Sequence, residues 1–508
     1  MQTFLRLAST VPLLAGSALP AGPYGKSYDC CRTLDEAGIQ SILSPSDPIY
    51  LERVQSYWSV TSQLKPACFV QPENTQEVST VISTLVEKTD CKFAVRSGGH
   101  SSNAGFNNIE DGVTIDLGLL NGISYDSTSK VASLGPGSRW IDVYKTLDAM
   151  DASIQGGGIG SVGVGGLLLG GGLSPYLYKR GLATDDILKM EIVTANGKIL
   201  EASAHQNQDI YQVLKGGGSG FGVVTRFDMR TFDRVPIWEC YREYPASASV
   251  DDSHIVALKR WTDNKDAYET GSAFIWWTYR PAENRTILIS ALSDTAGQIE
   301  PAFLKEFLDI PGYSVSNVGL TNMSTSALAT QAANYSVFSN IWFTLTFKND
   351  ERVIRKAVEM HHGLVEYMKQ NSPDGNFETQ CYFQPFPSVI GIRGVAKGGN
   401  ILGVDKLEDN AIVLLGSLAV DGADQEAVGR KKILEWKAAL EEYSMSVGAF
   451  VAYRYSNYAD ASQDVLGSYG QQNVRKMIMV SEKYDPSGVF QTRMPGGLKL
   501  PLRPGALQ

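Results

Sequence analysis

Residues 96–105 read RSGGHSSNAG, Arg96 to Gly105, and set one of only five histidines in the chain, His100, between paired glycines and paired serines. A surface turn would use the glycines and need no histidine. A core histidine would have apolar neighbours, and this one has almost none. Upstream, PACFVQPENTQEVSTVISTLVEKTDCKFAVR resolves into a short apolar strand (ACFV), a helix and a second strand (CKFAVR). Val78, Val81, Ile82 and Leu85 fall at helical spacing, with Asn74 as the N-cap. The unit is βαβ-like, and its last strand delivers the His100 loop to the kind of position where ligands bind. SGGHSS exposes several backbone N–H groups without Cβ obstruction, which suits phosphate oxygens.

Two more glycine-dense stretches follow, DASIQGGGIGSVGVGGLLLGGG and LKGGGSGFGVV. Three such loops in one unit favour a large phosphorylated cofactor. A packed helix is not expected in the first, because each interior glycine costs about 1 kcal/mol relative to alanine. Gly158, Gly160 and Gly163 satisfy G-x-G-x-x-G, and Asp185 sits near the spacing of a ribose contact. No clean strand precedes them and VGVGGLLLGGG opens a helix badly, so the dinucleotide-fold match is accidental. No P-loop, G-x-S-x-G elbow or HExxH pair occurs. His361 and His362 are adjacent, point apart on a helix and are expected to be solvated, so no metal site is expected.

The segment ILKMEIVTANGKILEAS reads as a hairpin turning at Asn196-Gly197. No linker interrupts residues 60–235, which form one α+β unit. Over 236–454 aromatic strand runs alternate with amphipathic helices, the pattern of a sheet covered by helices on one face. Residues 455–508 form a tail with a helix around Asn473 to Lys483.

At 508 residues the chain exceeds one ordinary core and implies two or three domains, or one large intertwined pair. A net charge of −9, without a run of five basic residues, excludes a typical nucleic-acid binder. Residues 1–21 have the marks of a signal peptide: Arg6, an apolar stretch from Leu7 to Leu19, and small residues around Ala18 and Ala21. That stretch is too short to span a bilayer. Sequons at Asn284, Asn322 and Asn334 fit a secreted protein. So does an even cysteine count, with disulfides expected from Cys30 or Cys31 to Cys68 or Cys91.

CKFAVRSGGHSSNAG closely resembles the covalent-flavin loop of fungal FAD-linked oxidases of the berberine-bridge-enzyme-like group, in the vanillyl-alcohol-oxidase superfamily. VGVGGLLLGGG, LKGGGSGFGVVTRFDMRTF, YSNYAD and NVRKMIMVSEKYDPSGVFQTRMPGGLKL match further motifs in family order, across nearly the whole chain. The resemblance implies an α+β fold: a two-part FAD-binding domain of the PCMH type (60–235), a substrate domain (236–454) and a berberine-bridge-like segment (455–508) returning to the FAD domain.

It also implies FAD bonded through its 8α-methyl to His100. Arg96, Ser97, Gly98, Gly99, Ser101 and Ser102 would cradle the pyrophosphate. Gly163, Gly165, Gly166, Gly222 and Val224 would line flavin and adenine, and Tyr455, Asn457 and Tyr458 would return to the ring. Val162 stands where relatives control oxygen access. Ile159 replaces the cysteine of bicovalent members, so no second link is expected, and Leu173 stands where some members have a tyrosine.

The function implied is an FAD-linked oxidase that takes a hydride from a small molecule and passes the electrons to dioxygen, releasing hydrogen peroxide. Tyr382, Gln384 and Tyr455 are the catalytic candidates. Ile159 tilts the substrate towards a fungal secondary metabolite. The alternatives are a carbohydrate oxidase, a dehydrogenase with another acceptor, and a non-catalytic secreted scaffold, which would have no need to keep His100.

Overall fold

Strand-forming runs of Val, Ile, Phe and Trp pair into three sheets among the described residues. A computed structural model describes residues 26–264, 268–330, 338–372 and 375–501. The leader 1–21 and the Asn334 sequon lie outside them.

The first sheet comprises β1 (Ile42–Leu43), β2 (Cys68–Val70), β3 (Phe93–Arg96) and β4 (Val113–Asp116), in the order β1-β2-β4-β3. It starts at Ile42, ahead of the boundary at residue 60. β2 and β3 are joined by helix Thr75–Lys88, whose N-cap Asn74 accepts the N–H of Glu77. Both pair in parallel with β4, which lies between them. Helix Lys26–Glu36 is bonded to this sheet by disulfides Cys30–Cys91 and Cys31–Cys68.

The second sheet contains β5 (Ile123–Asp126), β6 (Val131–Leu134), β7 (Ala152–Ile154), β8 (Ile187–Val193), β9 (Ile199–Ser203) and β10 (Val223–Asp233). Its order is β5-β6-β10-β8-β9, with β7 on β10. β8 and β9 form the hairpin turning at Asn196-Gly197, Gly197 at φ +74°. One feature departs from expectation. The glycine run does form a short helix, Val164–Leu169. A Cβ on Gly165 would stand 2.9 Å from Ser97 Oγ, so glycine permits a backbone approach that offsets its poor helix propensity.

The third sheet has eight strands: β11 (Ile237–Pro245), β12 (Gly271–Arg280), β13 (Arg285–Asp294), β14 (Val315–Thr321), β15 (Ser339–Lys348), β16 (Phe377–Phe386), β17 (Ala411–Val420) and β18 (Phe450–Val451). Helices Ala248–Asp263, Glu351–Asn371 and Ala423–Ser446 cover one face. Period-2 alternation sends Ile275 and Trp277, Ile341 and Phe343, and Cys381 and Phe383 into that helix-covered core. Their neighbours Phe274, Trp342, Tyr382 and Gln384 face the other way, towards the glycine loops.

His361 corrects the expectation of a solvated residue: it is fully buried, with Nε2 sharing a 2.8 Å hydrogen bond with Thr379 Oγ1. It continues the stripe Ile354, Ala357, Val358, Leu364 and Val365 along its helix. Asp185 makes no ligand-facing display either. It is buried, accepts the Leu182 N–H and Asn400 Nδ2, and lies 3.9 Å from the buried Lys215 Nζ.

Beyond β18 the chain crosses back over both smaller sheets. Helix Gln471–Tyr484 packs Met477 and Val480 into the second sheet's core, and Phe490 and Met494 enter that of the first. The Arg493 carbonyl accepts the N–H of Phe93 at 2.9 Å.

Candidate active site

The loop after β3 reaches its position through contacts that only glycine allows. A Cβ on Gly98 would sit 2.5 Å from both Cα and N of Gly163, and the reverse is equally true. The first two glycine stretches therefore touch backbone to backbone. Gly99 adopts φ +67°, and Ser97 Oγ donates to the Pro136 carbonyl at 2.5 Å. The outer side of the loop is bound by residues 56–62. Trp58 N–H donates to Gly99 O at 3.0 Å, Thr61 Oγ1 to Ser102 O at 2.6 Å and Ser62 Oγ to Ser101 O at 2.8 Å. Asn103 ties the loop to the tail, donating to Ala459 O and accepting the Ala461 N–H.

Behind these loops lies a cavity of about 380 Å³. Its walls hold most of the residues singled out from sequence: Ser97, Gly98, Gly99, His100, Ser101, Ser102, Val162, Gly163, Gly165, Gly166, Gly222, Val224, Tyr382, Gln384, Tyr455, Asn457 and Tyr458. Arg96 is the exception and corrects the cradle expected of it. It is fully buried, stacked 3.8 Å over the Tyr57 ring, and donates to Arg53 O, Ser56 O and Ser56 Oγ. Its guanidinium steadies the chain beneath the loop and does not line the cavity. Sequence reasoning missed Asn103, Phe274 and Trp342, which do. Alternation along NIWFTLTF carries the signal for Trp342: Ile341, Phe343 and Leu345 form one face, so Trp342 belongs to the other.

His100 is half-buried, and its Nε2 is buried without a hydrogen-bond partner. Burial, reinforced by the positive charge of Arg139, pushes its pKa down to about 4. The imidazole is therefore neutral near pH 7 and keeps a nucleophilic lone pair.

The phenols are held protonated. Burial pushes Tyr455 up to about 12, against two donors on its oxygen, the Leu173 N–H at 3.0 Å and Asn457 Nδ2 at 3.1 Å. With its lone pairs so taken, Tyr455 is left to donate its own proton. Burial raises Tyr382 and Tyr458 as well. Gln384 Oε1 is buried and unpartnered, an acceptor awaiting a donor. Asn457 Nδ2 also donates to Leu167 O at 3.1 Å, and a Cβ on Gly170 would collide with Asn457 Oδ1. Tyr455 and Tyr458 meet edge to face at 4.8 Å, and Tyr458 meets Trp342 likewise at 5.8 Å.

These walls fit the FAD that the motifs imply. Gly158 and Gly166 present backbone with nothing within 4 Å of a built Cβ, the glycine and serine loops offer N–H groups to phosphate, and His100 keeps an unpartnered nitrogen. Among the described residues no Asp or Glu lines the cavity to repel a pyrophosphate.

Comparison with known proteins agrees with that chemistry. Residues 66–203 match the FAD binding domain family. The chain is 35% identical over 486 residues to the FAD-dependent monooxygenase drtC of Aspergillus calidoustus, covering 94% of this chain and 91% of that protein. Its fold is shared with a variant of berberine bridge enzyme in complex with (S)-reticuline (TM-score 0.71, 18% identity, 94% of this chain and 99% of that one). It is also shared with glucooligosaccharide oxidase of Acremonium strictum, whose FAD is 6-S-cysteinyl and 8α-N1-histidyl (TM-score 0.72, 18% identity, 91% and 97%).

Proposed function

The chain belongs to the family of FAD-dependent monooxygenases that includes drtC and shares the fold of berberine bridge enzyme, and on that premise we propose that it oxidises a neutral, aromatic, hydroxyl-bearing small molecule with FAD bonded to His100. The observation that carries this reading is the part of the cavity wall built by the third sheet and the tail. Phe274, Trp342, Tyr382 and Tyr458 make it aromatic, the unpartnered Gln384 Oε1 is its polar anchor, and no charged side chain lines the cavity among the described residues. A charged substrate would find no counter-ion there, and an oligosaccharide would find few of the directional polar groups that it needs. A phenolic secondary metabolite suits it better than a carbohydrate.

Bound FAD supplies the two-electron acceptor for the substrate's hydride and hands the electrons to dioxygen. The protein's own share is placement. The rings hold an aromatic substrate flat, Gln384 Oε1 accepts its hydroxyl proton in a hydrogen bond, and Tyr455 donates a hydrogen bond from the tail. With the cavity phenols of Tyr382, Tyr455 and Tyr458 held protonated and no carboxylate lining the cavity among the described residues, the protein offers no strong resting base there. A substrate whose hydroxyl is already acidic, as a phenol's is, meets that condition. Val162, which lines the cavity, is the residue we assign to oxygen access. Secretion is supported by the two disulfides, which belong to an oxidising compartment.

The test is acid precipitation of purified protein followed by a screen of phenolic metabolites. A yellow pellet that turns white in His100→Ala, with one hydrogen peroxide released per substrate oxidised, supports the reading. Flavin released from the wild type by acid would remove the histidyl bond. Label from ¹⁸O₂ entering the product without peroxide would replace oxidase chemistry by oxygen insertion, the activity named for drtC.

A further inference from the structure

A histidine that must present one ring nitrogen to a reaction partner is commonly oriented by a hydrogen bond on the other nitrogen. His100 has none on Nε2. Beside a backbone hydrogen bond within His100 itself, an indole constrains the ring: Trp58 lies parallel to the imidazole, with centroids 4.6 Å apart and planes within 14°. Trp58 is itself fixed from three sides. Its backbone N–H donates to the carbonyl of Gly99, the residue before His100, at 3.0 Å. Ser59 Oγ accepts the N–H of Asn340, and the Val60 N–H donates to Phe338 O, so its neighbours are fastened to the third sheet. The indole also meets the Trp342 edge at 5.1 Å.

We propose that Trp58 is the positioning residue for flavin attachment, holding the His100 imidazole in the plane from which a ring nitrogen meets the 8α carbon of FAD. The inference rests on the His100 reading above. Attachment exchanges one 8α C–H and the imidazole N–H for a C–N bond. The two electrons and two protons released leave with dioxygen as hydrogen peroxide. A ring free to rotate would still lie in the cavity but would seldom align, and an aromatic stack worth about 0.5–1.5 kcal/mol corresponds to a rate factor of roughly two to ten.

The experiment follows covalent attachment, not turnover. Wild type, Trp58→Leu, Trp58→Phe and His100→Ala are incubated in air with FAD, and flavin in the acid pellet is measured over time against total bound flavin. The expected result is that Trp58→Leu binds flavin but attaches it roughly tenfold more slowly, while Trp58→Phe, which keeps a ring to stack, lies between it and wild type. Attachment by Trp58→Leu at the wild-type rate overturns the proposal. If the leucine variant fails to fold, Trp58→Phe decides: slower attachment supports the role and an unchanged rate refutes it. Acid-released flavin in the wild type itself, or a yellow pellet from His100→Ala, marks failure of the His100 bond and takes the proposal with it.

Discussion

At the scale of single residues, the glycines separate into two kinds that composition cannot distinguish. Gly98 and Gly163 are crowded by each other's backbone, so Gly98→Ala forces two loops apart and is expected to destabilise the fold by about 1–3 kcal/mol, read from a urea midpoint, with loss of bound flavin. Gly166 faces open space, and Gly166→Ala is expected to leave that midpoint within about 1 kcal/mol while its methyl, entering the cavity, weakens flavin retention. Gln384→Leu keeps size and removes the acceptor. It is expected to lower kcat/KM for a hydroxylated substrate about tenfold, with the flavin spectrum unchanged. The motif stretches marked where the glycines cluster. Which of them are in contact depends on loops far apart in sequence, and no local pattern carries that.

Among elements, the histidine loop is a shared product of three segments: residues 56–62 outside it, the second glycine stretch inside it, and the tail joined through Asn103. Asn103→Ala breaks two hydrogen bonds between loop and tail and is expected to cost about 2 kcal/mol, measurable by thermal unfolding of the flavin-loaded protein. The disulfides close stretches of 61 and 37 residues, and removing either pair is expected to lower stability by about 4 kcal/mol in the chain-entropy account. Legibility also differs among elements. Helix Thr75–Lys88 and the Asn196-Gly197 hairpin were plain in the sequence because periodicity, cap and turn residues agree within each segment. Helix Val164–Leu169 was not, since its support is a distant serine, and Arg96 was misread because Tyr57, which draws its guanidinium away, precedes it by dozens of residues.

Across the whole molecule, buried imidazoles set the response to acid. His254 and His361 are fully enclosed, and desolvation pushes them down to about 4 and about 3. The unfolded chain, with ordinary histidines near 6.5, binds the extra protons first. Both residues thus contribute stability that is complete above pH 6.5 and is lost as pH falls through that value towards 3–4. The urea midpoint is expected to decline over that interval, and His361→Gln is expected to shallow the decline. A slope unchanged by that substitution would assign the effect to other groups.

The return of the tail has a consequence in time. A ribosome that has finished β18 has made all three sheets, yet Tyr455, Asn457 and Tyr458, with Gly497 and Leu498 that line the same cavity, have still to emerge. Until they do, the side of the cavity they form stands open to water, whatever the glycine loops have achieved. The walls are complete only after residue 498 has emerged, so enclosure of a cofactor between them is a late event of maturation.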